Sequence, residues 1–287
     1  MPNLKDIRRR IKSVKNTQQI TKAMKLVSAS KLRKAQEAIL GSRPYAIKLM
    51  EAISHLATRC NYDLHPFLSH REDNKTLYLV ITADKGLCGG FNGNIIRKTN
   101  QEIQAHANRE SQLILAGKKG NDFFKTKDIP ILKDYIGWTR EFNYALASKI
   151  ADDLAEEFAN KSVDRVYVVY NEFKSVIQQD VVIEQLLPVV PEYEVKEDEH
   201  QVDYEYEPDA EEMLDSLLQR YMRTQVFRAF LESAAGEHGA RMTAMDSASR
   251  NAGEMIGSLT LQYNQARQAY ITKELIEIVN GAEALKA

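Results

Sequence analysis

Apolar residues recur at steps of three and four along the 79 residues from Asp209 to Ala287, a stretch that contains no proline. Met213, Leu217, Tyr221, Phe227, Leu231, Ala235, Met242, Met245, Ala252, Met255, Leu259, Tyr263, Ala266 and Tyr270 mark a single stripe, which predicts one amphipathic helix. Unbroken, at 1.5 Å per residue, it would run on the order of 115 Å. No single compact core covers such a stripe, so the pattern calls for a partner of similar length and predicts a coiled coil. Residues 3–43 supply one. They also lack proline, and Leu4, Ile7, Ile11 and Val14, then Ile20, Met24 and Val27, then Leu32, Ala35 and Ile39 step at helical spacing, with an expected phase shift near Thr17. The two helices are expected to pair antiparallel, with the middle of the chain inserted as a globular domain at one end of a rod. Two amphipathic helices lying on one globular core is the other arrangement the pattern allows. Glycines at 236, 239, 253, 257 and 281 oppose the long helix, each by up to about 1 kcal/mol relative to alanine. In a coiled coil they mark close helix approach or a local break.

Between the helices the pattern changes. TLYLVITAD (76–84), SQLILAG (111–117), VDRVYVVYNEF (163–173) and VIQQDVVIEQLLPV (176–189) read as strands, rich in β-branched and apolar residues. Helical stretches fall at Ile95–Ala107, just after the GKKG turn, and at Phe142–Ala159. Strands alternating with helices predict a mainly parallel sheet covered by helices, an α/β fold. The expected division is 1–60 as the N-terminal coil helix and 70–190 as the α/β domain. An acidic connection at 191–208 then leads into the C-terminal coil helix at 209–287.

Net charge is −1, yet it is segregated: residues 1–40 hold eleven Lys or Arg against two acids, and residues 192–212 hold eleven Asp or Glu against Lys196. Such blocks point to partners of opposite sign. Two cysteines, Cys60 and Cys88, make no disulfide framework, and a reducing compartment is expected. No run of 18 apolar residues occurs, so no membrane span is expected, and MPNLKDIRRR has no apolar signal core.

Candidate chemistry is sparse. The turn DKGLCGGFNGN (84–94) lies between a strand and a helix, where a phosphate loop would sit. Its glycines at 86, 89, 90 and 93 match neither dinucleotide nor Walker spacing, and Lys85 precedes them. A tight turn with close backbone packing is the favoured reading, and no cofactor is expected. GKKG (117–120) is weaker still. His55, Cys60, His65 and His70 are spaced by fives, unlike structural zinc pairs; Cys88 has no local base; no carboxylate pair stands out. The basic N-terminal helix could bind nucleic acid, but its regular apolar stripe favours packing on the C-terminal helix, with the other face toward an acidic protein surface.

Three segments together resemble one family: NTQQITKAMKLVSASKLRKAQ (16–36), ITADKGLCGGFN (81–92) and ARQAYITKELIEIVNGAEAL (266–285). They are similar to the gamma subunit of the F-type ATP synthase, the central shaft of that rotary machine, and the likeness runs from end to end. It implies an antiparallel coiled coil of the two termini plus a Rossmann-like α/β domain that binds no nucleotide. It also implies a non-catalytic subunit that couples proton flow to conformational cycling of catalytic subunits and regulates ATPase activity. The implied partners are the alpha and beta subunits of the catalytic ring, the epsilon subunit and the membrane c-subunit ring, with no nucleic acid and no membrane insertion. The absence of a transit segment and of an extra cysteine pair suggests a bacterial protein, peripheral on the cytoplasmic face of the inner membrane.

By position, the resemblance assigns catalytic-subunit contacts to Met24 and Lys25 in MKLVSASKL, to Arg241 at about the same level of the other helix, and to Arg267, Gln268 and Thr272 near the tip. It assigns membrane-ring contacts to Tyr204 and Glu207. Glu274 and Glu277 complete the C-terminal signature, with a structural role. Placing Met24 beside Arg241 leaves about the last 25 residues projecting alone. Two other readings stay open on the residues themselves: an enzyme built on the α/β domain with the helices as a dimerisation arm, and a coiled-coil protein that binds nucleic acid.

Overall fold

A computed structural model of the chain describes residues 4–57, 65–69, 71–72, 74–176, 178–190 and 209–284. Tyr204, Glu207 and the rest of the acidic connection lie outside the described residues, as do Cys60 and His70. In chain order the elements are α1 (Leu4–Ala57), β1 (Lys75–Ile81), α2 (Phe91–Ala105), β2 (Glu110–Ala116), α3 (Lys118–Phe124), β3 (Ile131–Tyr135), α4 (Trp138–Glu141), α5 (Tyr144–Ala159), β4 (Arg165–Phe173), β5 (Gln179–Leu187) and α6 (Ala210–Ala284).

The expected long helices form. α6 runs for 75 residues without a break at any of its glycines. Its start is set locally: the Asp209 carboxylate accepts hydrogen bonds from the Glu211 and Glu212 N–H groups, both at 2.9 Å, and those two acids occupy the first turn, where the helix dipole favours negative charge. α1 continues past the proline-free stretch 3–43, carrying Pro44 inside the helix although proline removes one backbone donor there. Two compact units result. One comprises the chain up to Ser28 together with Met242 onward, and the other comprises Ala29–Arg241.

The larger unit is built on a five-stranded sheet in the order β3-β2-β1-β4-β5. β1 pairs parallel with β2 and β4, and β2 pairs parallel with β3, while β5 adds an antiparallel edge to β4. The two-residue period of β1 sorts its side chains onto two cores. Leu77, Leu79 and Ile81 join Ile150, Leu154 and Phe158 of α5, Leu218, Val226 and Phe230 of α6, and Ile53 of α1. Tyr78 and Val80 join Phe91 and Ile95 of α2 and Phe124 of α3 on the other face. These side chains are almost wholly removed from water, each contributing roughly 1.5–3 kcal/mol relative to exposure.

Two close approaches explain glycines. Gly117 has φ +95°, and a Cβ there would lie 2.1 Å from the Thr82 carbonyl oxygen, so the ends of β1 and β2 meet only if this residue is glycine. Gly236 and Gly239 let α6 lie tight on the sheet, because a Cβ would sit 3.3 Å from Asn171 Cβ and from Phe173 Cε2 respectively. They mark approach to the sheet, not approach between helices. β3 is a strand that the sequence pattern did not reveal.

Candidate functional site: the surface of the helix pair

In the smaller unit the seam between the helices follows three-four steps without interruption. On α1 it comprises Leu4, Ile7, Ile11, Val14, Gln18, Thr21, Lys25 and Ser28. On α6 it comprises Met242, Met245, Ser249, Ala252, Ile256, Leu259, Tyr263 and Ala266. All are buried or half-buried. The expected phase shift near Thr17 is therefore a correction. The seam keeps its phase by changing from apolar to polar residues, and the apolar residues assigned to it point elsewhere. Ile20 is 60% exposed and Val27 57%, with Leu26 on another flank at 69%. Met255 is likewise outside, and Ile256 takes the seam position. Ile20, Met24 and Val27, at i, i+4 and i+7, share one flank of α1.

Polar contacts from α1 join the apolar packing of Met242, Met245 and Ala252 across this stretch. Lys25 Nζ donates to Asp246 Oδ1 at 2.6 Å, and Gln18 Nε2 donates to the Ser249 carbonyl oxygen at 3.2 Å. The hydrogen bond from Lys25, its charge and that of Arg250 hold the Asp246 carboxyl below its ordinary value. Arg250 lies 3.7 Å from the second Asp246 oxygen. The pairing is antiparallel, as expected, but its register differs. Lys25 faces Asp246, about five positions further along α6 than the level of Arg241 assumed from sequence.

Beyond Ala266 the seam ends, and every residue from Arg267 to Ala282 is exposed. Here Arg267, Gln268 and Thr272 stand in the open, with the Thr272 hydroxyl donating to the Gln268 carbonyl at 2.9 Å. The acids of the C-terminal signature work within the helix: Glu277 lies 3.5 Å from Lys273, and Glu274 bonds the Tyr270 hydroxyl, raising its pKa. Tyr270, Ile271, Leu275, Ile276, Ile278 and Val279 are all exposed. An apolar strip of this kind in water marks an interaction surface.

Arg241 belongs to the larger unit and is turned inward. Its side chain is 11% exposed and that of Glu237 only 5%, with their contact at 2.6 Å. A second guanidinium nitrogen donates to the Gly86 carbonyl at 3.2 Å. Burial raises the Glu237 pKa, and the charge and hydrogen bond of Arg241 work against that rise. Arg241 thus ties α6 to the glycine turn.

That turn is filled by the protein's own groups. Asp84, at the end of β1, accepts from the N–H groups of Gly137 at 2.8 Å, Lys118 at 3.1 Å and Thr139 at 3.3 Å, and from the Thr139 hydroxyl at 2.7 Å. Burial alone would raise its pKa, but these bonds together bring it below the ordinary value. Asn92 accepts from the Ala83 N–H at 2.8 Å and approaches Cys88 Sγ at 3.2 Å. The N–H donors at the starts of α3 and α4 therefore face a carboxylate of the chain itself. His65, one of the spaced residues, accepts from the Phe67 N–H through Nδ1 and meets Asp215 at 3.2 Å. Among the described residues no group of three or more His, Cys, Asp and Glu could hold a metal, and no helix is long and apolar enough to cross a membrane.

Long terminal helices with an exposed tip, joined through a Rossmann-like domain whose loop is closed on itself, match one group of known proteins. The family profile described as ATP synthase matches residues 3–285. The ATP synthase gamma chain of Anaeromyxobacter sp. (strain Fw109-5) is 51% identical over 100% of both chains, and that of Trichlorobacter lovleyi is 47% identical, again over 100% of both. A chain in the central stalk and c-ring structure of Tetrahymena thermophila mitochondrial ATP synthase is 27% identical. Its TM-score is 0.62, covering 80% of this chain and 99% of that one. A chain of the Euglena gracilis mitochondrial enzyme shares the fold alone, at 19% identity and TM-score 0.69, over 98% of this chain and 94% of that one. The chain belongs to the ATP synthase gamma chain family.

Proposed function

We propose that this chain is the central rotor shaft of an F-type ATP synthase, coupling proton flow through a membrane sector to the conformational cycle of catalytic subunits and regulating ATP hydrolysis. The observation that carries the reading is the 51% identity to a bacterial gamma chain over the whole of both chains. On this reading the chain has no catalytic centre and needs no cofactor. ATP chemistry is performed by alpha and beta subunits ringed around the helix pair. The epsilon subunit and the c-subunit ring are its partners at the base, and it sits peripherally on the cytoplasmic face of a bacterial inner membrane.

The physical basis is differential affinity. Two unlike helices present a different face at each angle: an apolar flank at Ile20, Met24 and Val27, a basic one at Lys22 and Arg250, and an apolar tip. A catalytic subunit shifts toward whichever conformation packs best on the face turned to it. Met24 on the flank, and Arg267, Gln268 and Thr272 at the tip, are the proposed direct contacts, while Lys25 contributes from the seam through its pair with Asp246. Arg241 contributes by fixing its stretch of α6 on the glycine turn. Tyr204 and Glu207 are the proposed contacts to the c ring, where an acidic stretch meets polar, partly basic loops.

The test is Met24→Lys in an ATP synthase assembled with this chain. A cation on the flank beside Lys22 and Lys25 is expected to lower proton pumping per ATP hydrolysed several-fold while hydrolysis continues. A wild-type pumping ratio would falsify the assignment of this level as a torque-bearing contact.

A further inference from the structure

The seam of the smaller unit has a weakness built into it. Apolar knobs fix the axial offset of paired helices because each must find its own hole. From Gln18 to Ser28 the α1 seam offers Gln, Thr, Lys and Ser at those positions, facing a stretch of α6 that includes Met242, Met245, Asp246, Ser249 and Ala252. The two methionines are the apolar knobs here, and their unbranched, flexible side chains repack readily at neighbouring offsets; the small and polar side chains around them slide with little change in packing, so directional contacts set the offset.

Directional contacts cross between the helices here: Lys25 to Asp246 at 2.6 Å and Gln18 to the Ser249 carbonyl at 3.2 Å. The surroundings favour this offset over its neighbours. Gly253 leaves room for Gln18, since a Cβ there would come within 3.1 Å of Nε2. One turn along α6 in one direction Lys25 meets Ser249 and Arg250, a like charge; one turn the other way it meets Met242 and Thr243. Neither offers a carboxylate. The lost pairing and the repulsion by Arg250 select against a slipped register.

We propose that Lys25 and Asp246, assisted by Gln18, form a register lock. They are positioning residues that hold the two helices at one axial offset across the polar stretch, and so hold Ile20, Met24 and Val27 at a fixed level. The coupling consequence rests on the rotor reading above; the lock itself does not. Half-exposed as this pair is, solvent screens its contribution to stability. Its role is the choice among registers that packing leaves nearly equal.

The experiment uses the assembled ATP synthase carrying spin labels at Lys15→Cys and Glu254→Cys, both exposed sites on the two helices, with Cys60 and Cys88 replaced by serine. Pulsed dipolar spectroscopy gives the inter-helix distance distribution. Lys25→Asp alone and Asp246→Lys alone are expected to shift or broaden it on the scale of one helical turn, about 5 Å. The double exchange, which restores opposite charges, is expected to return the sharp distribution. Proton pumping per ATP is expected to fall in each single variant and recover in the double. An unshifted, sharp distribution in both single variants overturns the lock, as does a double exchange that stays as broad as the singles. If the distances shift and recover while the pumping ratio stays constant, the lock stands and the torque-bearing reading of this level is the part that fails.

Discussion

The sheet domain and the paired helices treat their side chains in opposite ways. In the sheet domain chemistry and position agree for the apolar residues: Leu77, Leu79, Ile81, Phe158 and Phe230 are fully buried, while the charged Arg228 and Glu184 pair at 2.6 Å where both keep some contact with water. Between Gln18 and Ser28 of the helix pair the polar residues lie in the seam, while Ile20, Leu26 and Val27 face out. A region that holds only itself together puts apolar surface inside. A region that must grip something else spends apolar surface outside and accepts a weaker seam.

The sharpest test of this contrast is a deletion in the sheet domain. Phe230 is fully buried, with ring centroids 4.9 Å from Trp138 and 5.2 Å from Phe142. Phe230→Ala is expected to cost about 3–5 kcal/mol, read from urea unfolding; a loss below about 1 kcal/mol would show that this core is not what holds the domain.

A smaller effect concerns His238, in the same domain. Burial, then the positive charges of Arg241 and Lys31, push its pKa down to about 4 from 6.5. The unfolded chain takes up this proton near pH 6.5 and the folded chain only near pH 4. Stability is therefore complete above the unfolded value and drains away as pH falls between the two, by about 3 kcal/mol at most. His238→Asn is expected to flatten the fall in melting temperature across that window. Parallel melting curves for the two proteins would exclude His238 as the titrating group.

The smallest expected change is on the helix pair. Ile20→Ser and Val27→Ser are expected to alter the stability of the isolated chain by no more than about 0.5 kcal/mol, while weakening assembly with the catalytic ring. A thermal destabilisation comparable to that of a core deletion would place these residues inside a core after all.

The same contrast explains what the sequence disclosed. Strands β1, β2, β4 and β5 were legible because buried strands must be apolar and β-branched. β3 was not, because its five residues alternate between half-buried and exposed and so carry a weak pattern. The two long helices were legible from their period, and so was the exposed tip. The face they present was misread, because counting apolar residues assumes that apolar means inward. At Ile20 and Val27 it means the reverse, and the seam runs on through Gln18, Thr21, Lys25 and Ser28. Arg241 matched a family position, but nothing in its local sequence disclosed that Glu237 and the Gly86 carbonyl hold it inside. The four-residue step from Val14 to Gln18, which continues the alternation of three and four through Leu4, Ile7, Ile11 and Val14, was the signal that could have set the seam's phase.

Asp84 gives the glycine turn a character of its own. A carboxylate just beyond β1 draws in the N–H groups at the starts of α3 and α4, as an anion bound at a helix N-terminus does. It is an anion that dialysis cannot remove, because it is covalently part of the chain. One side chain thus fastens together three segments of the domain that lie far apart along the chain.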